Sequence, residues 1–226
     1  IGIDFTMFYG TDTKEHEETA HEFFNELYKQ WLLTEKELTQ PYCLDDSQFL
    51  ADRYIQWTCY ICNTPGAYWD QCEACGSMMD STKLIDPTCK ICWWNHIENR
   101  TTKHLYLELA QFTEQLVSWL ETKRSTWKTN VVTTALDKWI KDGLQSRWIT
   151  RDLNCWISVP LEWYETKKLY VWFEACLWYI SITKYRANSI NQPNLWRDYW
   201  LNPETKLVQF IGKDNIVFHS IIRPAL

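Results

Sequence analysis

The chain has 226 residues, 46% hydrophobic and 23% charged, with 23 basic against 29 acidic side chains and a net charge of −6. This is globular composition for one or two domains, and it excludes a strongly basic, non-specific nucleic-acid binder. No run of 18 apolar residues exists to cross a membrane, and the opening IGIDFTMFYG carries no export signal, so a cytoplasmic location away from membranes is expected. Two counts are unusual: 6 glycines, where average usage gives about 16, and 15 tryptophans. An indole cannot take over a sharp glycine turn without strain.

Taken in chain order, Thr13 is placed to cap a helix over Lys14 to Gln30. Its first turn is acidic, and Ala20, Phe23, Phe24, Leu27 and Trp31 recur at helical spacing. From about Gln40 to Asn99 the texture changes: seven of the nine cysteines gather there, between turn-formers such as Asn63-Thr64-Pro65-Gly66 and Asp86-Pro87. Leu105 to Phe112 combines a short strand with the start of a helix toward Lys123. A further helix is expected over Val131 to Asp142, stopped by Gly143. The last third alternates: a buried strand at Leu169 to Phe173, a helix over Cys176 to Tyr185, a buried strand at Leu207 to Ile211, and a helix from Ile216 to Ile222. That order predicts βαβ units, hence an α/β fold with a parallel sheet. The abrupt apolar opening and the helix cut at Leu226 suggest a piece of a longer chain.

Cys59-x2-Cys62 and Cys72-x2-Cys75 form paired CxxC knuckles, which present four thiolates at a spacing suited to tetrahedral Zn²⁺. Disulfides or buried thiols are the alternative, disfavoured without an export signal. The residue after a knuckle often needs a positive φ, which Gly76 and Asn63 can adopt. A second set is incomplete: Cys89-x2-Cys92 pairs with Cys43, and Asp46 stands where a fourth cysteine is expected. Three thiolates and a harder carboxylate can still hold zinc, less tightly. Trp93 follows Cys92 where a glycine would be comfortable, and His96 is a spare ligand. One or two zinc ions are therefore expected, structural and fully coordinated by protein.

Three segments add to this: Arg151 in WITRDL, LYVWFEA ending at Ala175, and Gly212-Lys213-Asp214 followed by His219. In a parallel sheet, ligands bind outside the carboxyl ends of strands, where the last two would lie. Each is weak alone. In the order FYGTDTKEHEETAHEFFNELY, QPYCLDDSQFLADRY, the CxxC pair, DQCEACG, ITRDL, LYVWFEA and QFIGKDNIVFHS, the whole chain resembles an internal part of methionyl-tRNA synthetase, most closely the eukaryotic and archaeal branch.

That resemblance implies an interrupted Rossmann-type sheet. Residues 1–36 would end its first half, 37–106 would form a zinc-bearing connective-peptide insert, and 107–226 would hold the return helices and most of the second half. It implies a ligase that activates methionine with Mg·ATP and passes it to the methionine tRNA. By the same resemblance, Trp172, Ala175 and Tyr179 wall the methionine side-chain pocket, with Phe218 and His219 on its far side. Gly212, Lys213 and Asp214 would meet the nucleotide, and Arg151 would face the phosphates as the catalytic cation. The family's HIGH and KMSKS segments are absent from these residues, so the bare chain is expected to be inactive.

The sequence departs from the family beside this pocket. Cys176 replaces a proline, Trp178 a glycine and Glu174 an aspartate; Trp156 and Trp57 also fall on glycine positions. An indole at Trp178 would overfill the pocket or tilt its turn. The alternative reading is a non-catalytic zinc ribbon that binds RNA or protein. It is disfavoured by charge, because residues 59 to 92 carry only Lys83 and Lys90 against Asp70, Glu73, Asp80 and Asp86. Class I synthetases for leucine, isoleucine or valine carry a longer insert than this stretch can hold.

Overall fold

A computed structural model describes residues 2–67, 74–75, 83–153, 157–212 and 215–226. The first helix, α1 (Lys14–Lys29), starts at the expected Thr13, whose extended backbone turns the chain into the helix. The Thr13 hydroxyl meets the Tyr9 hydroxyl rather than a helix amide. Ala20, Phe24 and Leu27 are buried as their spacing predicts. Trp31 is not: it lies one residue past the C-cap with φ 59° and its side chain 87% exposed.

From there the chain enters β1 (Leu33–Cys43), which pairs along its whole length, antiparallel, with β6 (Ile97–Leu107) from Leu33↔Leu107 to Cys43↔Ile97. At 3.4 Å per residue this ribbon is roughly 35 Å long. The short strand read at Leu105 is thus the end of a much longer one. β2 (Gln48–Phe49) extends the sheet on one side and β7 (Arg147–Trp148) on the other. The excursion between β1 and β6 holds a second antiparallel sheet, ordered β4 (Pro65–Ala67), β3 (Ile55–Thr58), β5 (Ile85–Cys89). Positions 37 and 106, the expected insert boundaries, both fall inside the ribbon.

After β6 come α2 (Thr113–Lys123) and α3 (Thr129–Thr133), the latter continued by a wider helical turn over Thr134–Ile140. Gly143, at φ +85°, ends that segment as expected. β8 (Thr150–Arg151) pairs antiparallel with β9 (Lys168–Leu169), followed by α4 (Val171–Ala175), α5 (Trp178–Ser189) and α6 (Leu195–Trp200). The chain closes with a helical stretch over Phe218–Ile222 and α7 (Arg223–Ala225).

Helices and sheets mix as an α/β reading requires, but every strand pairing among the described residues is antiparallel. The expected strand at Leu169 to Phe173 stops after Leu169 and becomes helical. Leu207 to Ile211 pairs with no strand among the described residues; Leu207 and Val208 are exposed and Phe210 is 98% exposed. A buried parallel strand needs a neighbour on each edge and helices over both faces. Here neither of these apolar runs has that company, so period and composition alone misplace them.

Two apolar clusters result. The larger packs α1 through Ala20, Phe24 and Leu27 against Leu105 and Leu107 of β6, Leu116 and Leu120 of α2, and Leu169, Phe173, Ile221 and Ile222. The smaller lies at the far end of the ribbon: Cys43, Leu50, Ile55, Trp57, Cys59, Ala67 and Cys89. Three of its seven members are cysteines, so what the sulfurs bind governs whether it holds together. Phe24 is wholly buried at the centre of the larger cluster. Phe24→Ala is expected to cost about 3–5 kcal/mol, read as an earlier urea-denaturation midpoint with an unchanged slope.

Candidate functional site

The hairpin geometry at the tip of the ribbon gathers the sulfurs. One ligand atom each from Cys43, Asp46, Cys89 and Cys92 lies within 4.8 Å of the others, a set that could hold a metal ion. Cys43 Sγ is 3.6 Å from Cys92 Sγ, and Asp46 Oδ2 is 3.1 Å from Cys89 Sγ and 3.5 Å from Cys43 Sγ. A second such set brings together Cys59, Cys62 and Cys75, with Cys59 and Cys75 sulfurs 3.9 Å apart. The fourth expected ligand, Cys72, and Gly76 lie outside the described residues. Sulfurs held 2.3 Å from a tetrahedral ion stand about 3.8 Å apart, and both observed separations match. All cysteines described are free thiols, so the disulfide alternative is not realised among them.

Each knuckle turns the same way. The Asn63 amide donates to the Cys59 carbonyl at 2.8 Å, and the Trp93 amide to the Cys89 carbonyl at 2.9 Å. The Ile61 and Ile91 amides point at Cys59 and Cys89 Sγ, both at 3.4 Å, and such donors favour thiolates. Without a cation, burial wins and pushes the Cys89 thiol up to about 12; a bound dication reverses that balance. His96, the spare ligand, instead pairs through Nδ1 with Asp45 at 3.1 Å.

A second constellation lies over α4, α5 and the C-terminal helix. Tyr179 and His219 are hydrogen-bonded, hydroxyl to Nε2, at 2.8 Å. His219 Nδ1 sits 2.8 Å from the Asn215 carbonyl, which can only accept; Nδ1 therefore carries the proton and an unprotonated Nε2 accepts from Tyr179. Trp172 is buried, its indole N–H donating to the Trp148 carbonyl at 2.8 Å, while Ala175 is exposed and Phe218 half-buried. Trp178 lies against Tyr179 with the rings tilted, and its buried indole nitrogen has no partner among the described residues. Gly212 is open: an added Cβ would meet only Asn215 Nδ2, at 3.9 Å, so no contact among the described residues demands glycine there. Lys213, Asp214 and Trp156 lie outside the described residues. Two surface clefts, one against Lys184 and Trp196 and one along Glu35, Lys103 and Lys167, lie away from these groups.

Arg151 is buried, its guanidinium 4.2 Å from the Trp148 ring centre and 4.6 Å from that of Tyr170. The backbone that carries it is clasped by Asp152. Lys167 Nζ reaches Asp152 Oδ1 at 2.7 Å, Thr102 Oγ1 donates to Oδ2 at 2.9 Å, and His104 Nε2 lies 3.1 Å from the same oxygen. Burial works against the Asp152 charge, but the contacts from His104 and Lys167 outweigh it and hold the carboxyl down at about 2. Burial also lowers the pKa of His104.

Sequence reasoning missed one group altogether. His16 of α1 is fully buried, with Nε2 2.5 Å from Glu174 Oε2 and Nδ1 2.8 Å from Ser181 Oγ. The three residues tie α1 to the two helices that carry Trp172 and Tyr179. Their separation in sequence, 158 and 165 positions, left no local signal.

Residues 1–226 match the family model described as tRNA synthetases class I (M). The chain is 43% identical over 227 aligned residues to a methionine–tRNA ligase of Chloroherpeton thalassium, covering all of this chain and 32% of that protein. It is 46% identical to the Flavobacterium johnsoniae ligase over its whole length and 31% of the relative's, and 40% identical to that of Thermoplasma acidophilum over 41% of the relative's. The chain thus spans roughly a third to two-fifths of the length of the curated relatives it matches. In fold it is similar to Mycobacterium tuberculosis methionyl-tRNA synthetase in complex with methionyl-adenylate, with a TM-score of 0.65 and 18% identity over 99% of this chain and 37% of that one.

The Asp152 clasp makes stability pH-dependent in a stated direction. Its folded pKa is depressed, so its contribution is complete above about pH 4 and disappears as pH falls toward 2. Asp152→Asn is expected to lower stability by about 1–2 kcal/mol at neutral pH, after allowance for solvent screening. The variant and parent should converge in thermal melts taken near pH 2.

Proposed function

Because the chain belongs to the class I tRNA synthetases of the M group, we propose that it is the internal part of a methionine–tRNA ligase. That enzyme couples methionine to ATP as methionyl-adenylate and passes the methionyl group to the methionine tRNA. The observation that carries this reading is the match over the entire chain to methionine–tRNA ligases at 40–46% identity. The geometry supports it: Tyr179 and His219 pack ring against ring and share a hydrogen bond, and Trp172 lies buried on α4, side chains suited to a polarisable thioether. Ala175 and Phe218 complete the side-chain pocket in this reading. Gly212, Lys213 and Asp214 approach the nucleotide, and Arg151 serves the phosphates once a ligand draws it from between its two aromatic rings.

Residues 37–106 act as a metal-clamped insert between the two Rossmann segments, 1–36 and 107–226. Zinc fits both sets by donor type and by the spacing of the described sulfurs: Cys59, Cys62 and Cys75, with Cys72 as the expected fourth ligand, in one, and Cys43, Asp46, Cys89 and Cys92 in the other. When bound, the ion would supply fixed charge and cross-links, and no reactive position. The insert's own charge is acidic, which favours a role in shaping the site over gripping RNA unaided.

Two measurements test these readings. The full-length enzyme should catalyse methionine-dependent ATP–pyrophosphate exchange. Tyr179→Phe, which removes the hydroxyl that orients His219, should lower kcat/KM for methionine by roughly fivefold, for a lost bond of about 1 kcal/mol. Elemental analysis of the purified protein should give two zinc equivalents per chain. Cys89→Ser and Cys59→Ser should each remove one; a single equivalent unaffected by Cys89→Ser would leave the aspartate-containing set as a simple thiol cluster.

A further inference from the structure

Among the described residues, seven other than glycine occupy the left-handed backbone region. Four are Ser47, Asn63, Asp86 and Asn191, short polar types that tolerate it. The other three are tryptophans: Trp31 at φ 59°, Trp93 at 66° and Trp163 at 74°. A bulky aromatic is a poor occupant of this region, and each of the three indoles is largely exposed, at 87%, 65% and 84%, so no burial compensates for the strain.

At two of them the hydrogen bonds identify what the position requires. At the end of α1, the Leu32 amide donates to the Leu27 carbonyl and the Trp31 amide to the Tyr28 carbonyl, both at 3.1 Å. This is the Schellman pattern, whose left-handed residue is usually glycine. The Cys89 knuckle closes at Trp93 with the same pair of bonds as the Cys59 knuckle at Asn63: besides the bonds from the Trp93 and Asn63 amides, the Cys89 amide donates to the Trp94 carbonyl at 2.9 Å as the Cys59 amide does to that of Thr64 at 3.0 Å. Inside the protein the indole is misplaced differently. Trp57 and Trp178 are the two tryptophans whose buried ring nitrogens have no partner among the described residues, a cost that native interiors avoid. Trp172 and Trp200, by contrast, donate to the Trp148 carbonyl at 2.8 Å and to Thr183 Oγ1 at 2.7 Å. The composition carries the same mark, with 15 tryptophans beside 6 glycines.

We propose that positions 31, 93 and 163, and the interior positions 57 and 178, are glycine in the protein as its cell makes it. Tryptophan is written UGG. UGA differs only in its third base and is a codon that cells reassign, to tryptophan in some lineages and to glycine in others. A gene that uses UGA for glycine yields this pattern: some tryptophans with well-made indole contacts, others standing at glycine geometry. The consequence for position 178 rests on the reading of its neighbourhood as a substrate pocket. A glycine there removes the indole beside Tyr179 and opens space along that wall for a side chain.

The test is the mass of tryptic peptides from the protein isolated from the cells that carry the gene, read with the codons at the same positions. The peptide from Leu169 to Lys184 holds its own control, because it should contain tryptophan at 172 and glycine at 178. Peptides 30–36, 91–100 and 152–167 report positions 31, 93 and 163. Glycine at these three, with UGA in the gene and UGG at 172 and 200, is the expected result. An indole at 31, 93 or 163 overturns the proposal, and an indole at 178 alone overturns its extension to the substrate wall. The outcome does not depend on whether methionine is the substrate. Independently, Trp31→Gly, Trp93→Gly and Trp163→Gly should each shift the full-length protein's folding equilibrium toward the native state, by roughly threefold to tenfold. Trp172→Gly should shift it the other way; earlier unfolding of all three glycine variants would contradict the backbone argument.

Discussion

The eleven-residue pairing of β1 with β6 is the constraint on which the rest of the molecule depends. It starts in the larger core, at Leu33 and Leu107, and ends at Cys43 and Ile97, where the smaller cluster begins. Since side chains alternate across a strand, a one-residue slip would turn Cys43 away from Cys89 and Cys92 and lift Leu105 and Leu107 out of the core. The same register therefore positions the sulfurs and seats α1. Charge pairs across it, such as Glu35 with Lys103 at 2.7 Å, are exposed and add little to stability; register is held by what is buried at the two ends.

The two ends obey different physics. The inner cluster is ordinary aliphatic and aromatic packing and closes on itself. The outer one has few apolar residues and three buried cysteines, so it approaches the regime in which a small module needs a cross-link or an ion to stay folded. Backbone amides already point at Cys59 and Cys89, and the sulfur separations are those of a tetrahedral shell. Neutral thiols add little to so small a core, whereas ligated thiolates would cross-link it.

Buried polar groups orient Tyr179 and its surroundings. His16 links Glu174 to Ser181, tying α1 to the helices that carry Trp172 and Tyr179, and the Asn215 carbonyl chooses the His219 tautomer. Arg151 is held by stacking while Asp152 fixes the backbone beside it. The apolar segments left in solvent, Phe5 and Phe8 near one end and Leu207, Val208 and Phe210 near the other, exceed what scattered surface hydrophobics account for. They accompany a chain that spans only 32% of its Chloroherpeton thalassium relative.

Sequence alone determined the family, the helices with a clear apolar stripe or a terminal glycine, and which of the described cysteines come together. Each of these is encoded in short-range spacing: i, i+3, i+4 for α1, two residues between cysteines in a knuckle. Asp46 was legible as a member of the Cys43 cluster for the same reason, three residues from Cys43. Tertiary structure decided which apolar runs became strands, because Leu207 to Ile211 and Leu169 to Phe173 read alike until neighbours are present or absent. It also decided the His16–Glu174–Ser181 link, the Asp152 clasp and the backbone sign at Trp31, Trp93 and Trp163. Those depend on contacts between distant residues or on a dihedral angle, and no one-dimensional pattern encodes either.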